Sequence, residues 1–165
     1  MSEPVLRVGI LGAARIAPAA LVYPASDVPA VHVACVGARD GDRARAFARE
    51  HGIPQAHQGY EAVLRAEVDA VYVALPASAH ARWALAALEA GHHVLVEKPL
   101  AANGAAACRV AEAAPPDRVV CEAFHYRYHP LFERILALLA DGAVGRLRDV
   151  RATFRIPHVP AGDIR

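Results

Sequence analysis

No charge of one sign dominates this chain of 165 residues: 18 Lys and Arg stand against 17 Asp and Glu, for a net charge of +1. No basic field is present to recruit nucleic acid, so no nucleic-acid partner is expected. Long apolar runs are missing too. None is long enough to span a bilayer, and no membrane association is expected. The N-terminus, MSEPVLRVGI, lacks a charged segment leading into a signal-type apolar stretch, which points to the cytoplasm. Cysteine is scarce and odd in number. Cys35, Cys108 and Cys121 lie far apart and read as buried thiols in a reducing compartment, not as a disulfide framework. Nine His are scattered without an H-E-x-x-H or C-x-x-C pattern, so no metal site is expected.

What is present is apolar and small. Hydrophobic residues make up 55% of the chain and alanine is abundant, which suits helices packed closely on a sheet. The length allows one good core with part of a second domain. The chain is organised around Val5–Ala17, VLRVGILGAARIA. Val5, Leu6, Val8, Ile10 and Leu11 form the nearly continuous apolar run of a strand covered on both faces. Gly12, Ala14 and Ala17 follow at the spacing of the dinucleotide fingerprint G-x-G-x-x-G/A. Gly12 permits the sharp turn, position 14 lets backbone approach a pyrophosphate, and position 17 lets the helix lie against the sheet. Ala14 replaces the second glycine, and is tolerable only if that position does not need positive φ.

Strand and helix signals then alternate. A helix is predicted from about Arg15 to Val22, ended by Tyr23-Pro24. Strands follow at Val31–Val36, Ile53–His57, Ala70–Leu75, His93–Val96 and Val119–Glu122. Helices fall at Gly41–Glu50 with Asp40 as cap, Tyr60–Arg65, Ala79–Ala90 capped by Ser78, and from Asn103 to Ala113. This is the pattern of an α/β doubly wound parallel sheet over residues 1–123. Beyond Ala123 the pattern changes. The aromatic and basic FHYRYHP precedes an amphipathic helix at Leu131–Ala140, and Leu147–Ile156 alternates like a half-exposed strand. Residues 124–165 therefore read as the incomplete start of a second domain.

In an open parallel sheet, ligands bind beyond the carboxyl ends of the strands. The first turn, Ala38-Arg39, Leu75-Pro76 and Glu97-Lys98-Pro99 all fall there. Arg39 stands where an NAD enzyme carries a ribose-binding carboxylate. Its forked guanidinium suits an adenosine 2′-phosphate, and Ala38 leaves room, which favours NADP over NAD. Asp40 leaves NAD possible, since a one-residue shift would offer a carboxylate. Lys98 could hydrogen-bond a substrate hydroxyl or polarise a carbonyl; a solvated strand-end lysine is the plain alternative. His80 could face cofactor or substrate or be structural, and Arg127 and His129 could simply pack and cap the following helix.

These segments together resemble the Gfo/Idh/MocA family of NAD(P)-dependent oxidoreductases. The likeness rests on GILGAARIA at 9–17, ARD at 38–40, ALPASAH at 74–80, GHHVLVEKPLA at 91–101, EAFHYRYHP at 122–130 and GRLRDVRATF at 145–154. The E-K-P tripeptide is the specific part, and EAFHYRYHP narrows it toward dihydrodiol dehydrogenases and glucose–fructose oxidoreductase-like enzymes. The resemblance implies a Rossmann domain followed by an α+β domain. It implies hydride transfer between a nicotinamide and a secondary alcohol or ketone of a sugar, cyclic polyol or dihydrodiol, in an enzyme that is a homo-oligomer when full length. It makes Lys98 catalytic, with Glu97 and Pro99 as its frame and a Lys98–Pro99 bond of a kind often found cis. Cofactor contacts are implied for Gly9, Gly12, Ala13, Ala14, Arg15, Ile16, Ala38, Arg39, Leu75, Pro76, His80, Glu97, Lys98 and Arg127. Family members carry a further acid–base residue in the second domain, so the 165 residues alone are expected to be inactive. A non-catalytic dinucleotide-binding module is the alternative.

Overall fold

The computed structural model describes residues 5–155. Its contacts divide after Ala123 into two units, taken here separately. The first is one parallel sheet of six strands: β1 (Leu6–Leu11), β2 (Val31–Ala38), β3 (Gln55–Gln58), β4 (Ala70–Val73), β5 (His93–Val96) and β6 (Val120–Glu122). The order across the sheet is β3-β2-β1-β4-β5-β6, and every pair is parallel. The direction of winding reverses between β1 and β4, which makes that junction the switch point of a doubly wound fold.

Strand alternation sorts the core into two layers. On one face Val71, Val73, Val94 and Val96 pack with Trp83, Leu88 and Val110 from α4 (Ala77–Glu89) and α5 (Gly104–Ala113). On the other, Val8, Ile10, Val36 and Tyr72 pack with Ala25 of α1 (Tyr23–Ser26) and Ala48 of α2 (Gly41–His51). Fully burying an aliphatic side chain of this size contributes about 1.5–3 kcal/mol, so these layers hold the strand ends in register. Gly9 belongs to this packing. A Cβ there would stand 2.6 Å from Val63 of α3 (Glu61–Leu64), so it is the absence of a side chain that lets α3 sit on β1.

Two predicted caps are in place. The Asp40 carboxylate accepts from the amides of Asp42 and Arg43 at 2.9 and 3.4 Å, and Asn103 accepts from Ala106 at 2.9 Å. Four expectations need correction. Of the three thiols expected to be buried only Cys35 is; Cys121 is half-buried and Cys108, on a helix face, is exposed. Tyr23-Pro24 does not end the first helix. A π-helical turn over Pro18–Val22 runs directly into α1, with the Tyr23 amide donating to the Pro18 carbonyl. The wider turn lets the chain pass Pro24, which has no N–H and would break an α-helical ladder. Ser78 is not a cap: α4 begins at Ala77 behind Pro76, and no side chain caps it. Leu147–Ile156 is not a strand over its described part. Residues 147–155 are irregular and exposed, and Ile156 lies outside the described residues. Alternation alone does not make a strand without a partner ladder.

In the second unit a 3-10 turn at His125–Tyr128 leads into α6 (Pro130–Ala140). His129 caps it through Nδ1, which accepts from the Leu131 amide at 3.1 Å.

Candidate active site at the carboxyl edge of the sheet

One row of the sheet sets the geometry. Gly37 of β2, Leu11 of β1, Val73 of β4, Val96 of β5 and Glu122 of β6 stand side by side across the strands. The chain therefore leaves the sheet nearly together, at Gly12, Ala74-Leu75 and Glu97-Lys98, and one residue later, past Ala38, at Arg39. Four separate stretches of sequence meet along one edge, across the switch point.

The turn after β1 is made of backbone and small side chains. Gly12 has φ of +107°, and a Cβ there would lie 2.5 Å from the Ala74 carbonyl oxygen. No described residue other than glycine has positive φ, so the Ala14 methyl sits in an ordinary conformation. Main-chain bonds from Gly12 to Gly37, Ala14 to Gly12 and Ala17 to Ala14, of 2.8, 2.9 and 3.1 Å, shape the turn. The amides of Ala13 and Ile16 have no hydrogen-bond partner among the described residues. Arg15 and Ile16 are exposed at the rim, whereas Ala13 is buried. Arg43 reaches back from α2 and donates to the Ala13 carbonyl at 3.0 Å. Unpaired amides beside a glycine with no room for a side chain form a cradle that fits a pyrophosphate.

After β2, Ala38 is buried and Arg39 is exposed, with no side-chain partner among the described residues. The neighbouring Asp40 carboxylate is turned to the amides of α2.

The loop after β5 is held at each residue. The Glu97 amide donates to the Val73 carbonyl at 3.0 Å. Its Oε1 accepts from the Tyr72 hydroxyl at 2.7 Å, and its Oε2 from the Lys98 amide at 3.2 Å. The Leu100 amide donates to Glu122 Oε1 at 2.8 Å, and the Lys98–Pro99 bond is cis. Burial, and then the bond to Glu97 and its charge, push the Tyr72 hydroxyl far above its ordinary range, so it stays a donor. Lys98 is exposed, its ammonium makes no hydrogen bond or ion pair among the described residues, and it is the single lysine of the chain.

Other site candidates have different surroundings. Gly9 lies inside β1 under α3, away from the strand end. His80 is 1% exposed, and both ring nitrogens contact carbonyl oxygens, leaving neither for a ligand. Arg127 is exposed on the 3-10 turn of the second unit. Leu75 does border Gly12, its Cδ2 2.9 Å from where a Gly12 Cβ would be, and Pro76 follows it as the residue before α4. Tyr72, Arg43 and Glu122 were not singled out from the sequence. Each meets its partner 22 to 30 positions away, so no local pattern marks it.

A family model described as "Oxidoreductase family, NAD-binding Rossmann fold" (GFO_IDH_MocA) matches residues 6–125. The chain belongs to the Gfo/Idh/MocA family. It is 43% identical to a dTDP-3,4-didehydro-2,6-dideoxy-alpha-D-glucose 3-reductase of Streptomyces antibioticus, over 100% of this chain and 51% of that protein. It is 42% identical to D-xylose 1-dehydrogenase (NADP(+)) 2 of Haloferax volcanii, over 95% of this chain and 49% of that protein. A 3-ketoreductase from Actinomadura kijaniata, solved in complex with NADP and TDP-benzene, matches with a TM-score of 0.88 and 38% identity, over 98% of this chain and 50% of that one. The chain thus spans about half the length of these Gfo/Idh/MocA relatives. Among the described residues no helix is long and apolar enough to cross a membrane, and no His, Cys, Asp and Glu group could hold a metal ion.

Proposed function

We propose that this chain is the cofactor-binding half of an NADP-dependent sugar oxidoreductase, with Lys98 as its catalytic cation and residues 124–165 opening a substrate domain. The observation that carries the reading is Lys98 itself. A chain that uses arginine seventeen times places its single lysine on the one loop at the switch-point edge whose backbone is pinned at each step.

The Gly12–Ile16 cradle would hold the pyrophosphate through main-chain amides. Arg39, without a side-chain partner among the described residues and beside a buried alanine, would take the adenosine 2′-phosphate in a forked, charge-assisted bond, and the capping role of Asp40 withdraws the competing carboxylate. The NADP named with the Haloferax and Actinomadura relatives supports the same preference. A bound nicotinamide supplies the hydride or accepts it. Lys98 would donate a hydrogen bond to the substrate oxygen, orienting it and stabilising the negative charge that grows as its carbonyl is reduced. The relatives act on a dTDP-linked ketosugar and on xylose, so the substrate class proposed is a free or nucleotide-linked sugar bearing a secondary alcohol or ketone. A second acid–base group, from outside residues 1–123, and self-association through the second domain complete the proposal.

The test is Lys98→Ala in a full-length version of the enzyme, assayed by NADPH oxidation with a ketosugar and by cofactor titration. A large loss of turnover with nearly unchanged cofactor affinity is expected. Unchanged turnover would remove the catalytic role and favour a non-catalytic dinucleotide-binding module.

A further inference from the structure

The His80 ring lies in the first turn of α4, 1% exposed, between two backbone carbonyls. Nδ1 is 2.7 Å from the Pro99 oxygen and Nε2 is 2.6 Å from the Leu75 oxygen. Both contacts are shorter than the common N–H···O length and fall at the short end, where charge-assisted bonds lie. Carbonyl oxygens only accept. A neutral imidazole has one N–H and one lone pair, so either tautomer would set a nitrogen lone pair against a buried oxygen at such a distance. Only a ring with hydrogen on both nitrogens satisfies both contacts.

The two carbonyls belong to the two loops that leave the row side by side. Leu75 follows β4 and borders Gly12; Pro99 follows Lys98. We propose that His80 is a positioning residue, an imidazolium strut whose two ring N–H groups tie the Leu75 and Pro99 carbonyls together and so set the distance between the cofactor-side loop and the lysine loop. It touches neither cofactor nor substrate and acts through the backbone on either side of Lys98.

The positive end of the α4 dipole opposes a cation at this position. Burial of the ring opposes it as well, and the two short bonds, each to a carbonyl oxygen that only accepts, are set against both. Ionisable groups on the joined segments, on α4 and on the elements packed against it are Tyr72, Arg82, Glu89, His93, Glu97, Lys98, Cys108, Arg109 and Glu112, with Glu122 bonded to the Leu100 amide. Tyr72 and Glu97 are bonded to each other. The carbonyls are therefore the partners that fix the state of the ring.

The functional meaning of the strut rests on the proposed role of Lys98, but its test does not. Nitrogen-15 NMR of the His80 ring, in the unliganded chain at neutral pH, is expected to show both nitrogens at protonated shifts. One nitrogen at the unprotonated shift would overturn the proposal. In His80→Phe, amide exchange at Lys98 and Leu100 is expected to speed up by at least about tenfold, with β2 amides unchanged. His80→Gln, which keeps one donor, should restore part of the protection. Equal acceleration throughout the sheet, or none at Lys98 and Leu100, would reduce His80 to an ordinary core residue. If NADPH does not bind the chain at all, the cofactor reading fails while these outcomes still stand or fall by themselves.

Discussion

The turn after β1 and the loop after β5 leave the sheet from the same row and are built in opposite ways. The first is main chain and methyl groups, tied by short-range backbone bonds and by one guanidinium, that of Arg43. The second is braced from outside by Tyr72, His80 and Glu122, three side chains from three elements. The difference follows from what each would hold. A pyrophosphate is recognised by N–H groups that the backbone already carries, so the requirement is the absence of bulk. An ammonium on a four-carbon stem has no fixed direction of its own, and Lys98 has no partner among the described residues to give it one. Its aim depends on how firmly its backbone is fixed.

The sharpest way to break this comparison is at Lys98. Removing its ammonium in a full-length version should cut kcat by about 10²–10⁴, measured by steady-state NADPH oxidation, with cofactor affinity changed less than about threefold. At the other site a single methyl should do the damage. Gly12→Ala must accept positive φ and a Cβ 2.5 Å from a carbonyl oxygen, so urea unfolding should show a loss of more than about 2 kcal/mol, together with loss of NADPH binding. Ala14→Gly should leave binding nearly unchanged, because φ there is already ordinary. Equal sensitivity at positions 12 and 14 would undo the account of the turn.

The braces of the lysine loop are next in size. Tyr72→Phe keeps the buried ring and orphans Glu97 Oε1, at a cost of about 1–3 kcal/mol seen in the same unfolding assay. Alkaline pH probes the sheet behind the site. Burial pushes the Cys35 thiol up from 9.0 to about 11, with Arg7 pulling it partly back. Its contribution to stability is full below pH 9, where folded and unfolded chains both hold the proton, and is lost as pH climbs toward 11, where only the folded chain still holds it. Stability should therefore fall with pH across that window, and Cys35→Ala should flatten the fall. A curve that stays flat in the original chain would contradict it.

Much of the frame was legible locally. Short apolar runs, a capping aspartate and asparagine, and glycines at helix ends are each decided within a few residues, and alternation of helices with strands marks a parallel sheet, although the strand order comes only from the structure. Proximity along the chain fails where the deciding partner is distant or missing. Pro24 reads as a helix stop because a preceding π turn has no sequence mark. The alternation in Leu147–Ile156 looked like a strand because sequence shows which face would be buried and not whether a ladder exists. His80 was legible as a residue of the site region, but its two carbonyls lie 5 and 19 positions away, so its part as a brace was not.

The central claim is that the edge of the sheet at β1, β2 and β5 is a nicotinamide-dinucleotide site that prefers the phosphorylated cofactor. The most direct measurement is a parallel titration of this chain with NADPH and NADH, read by nicotinamide fluorescence. The account predicts tighter binding of NADPH, an advantage that falls by about tenfold or more in Arg39→Ala, and little change for NADH. Failure of either cofactor to bind would contradict the claim, and an NADPH preference untouched by Arg39→Ala would contradict the role given to Arg39.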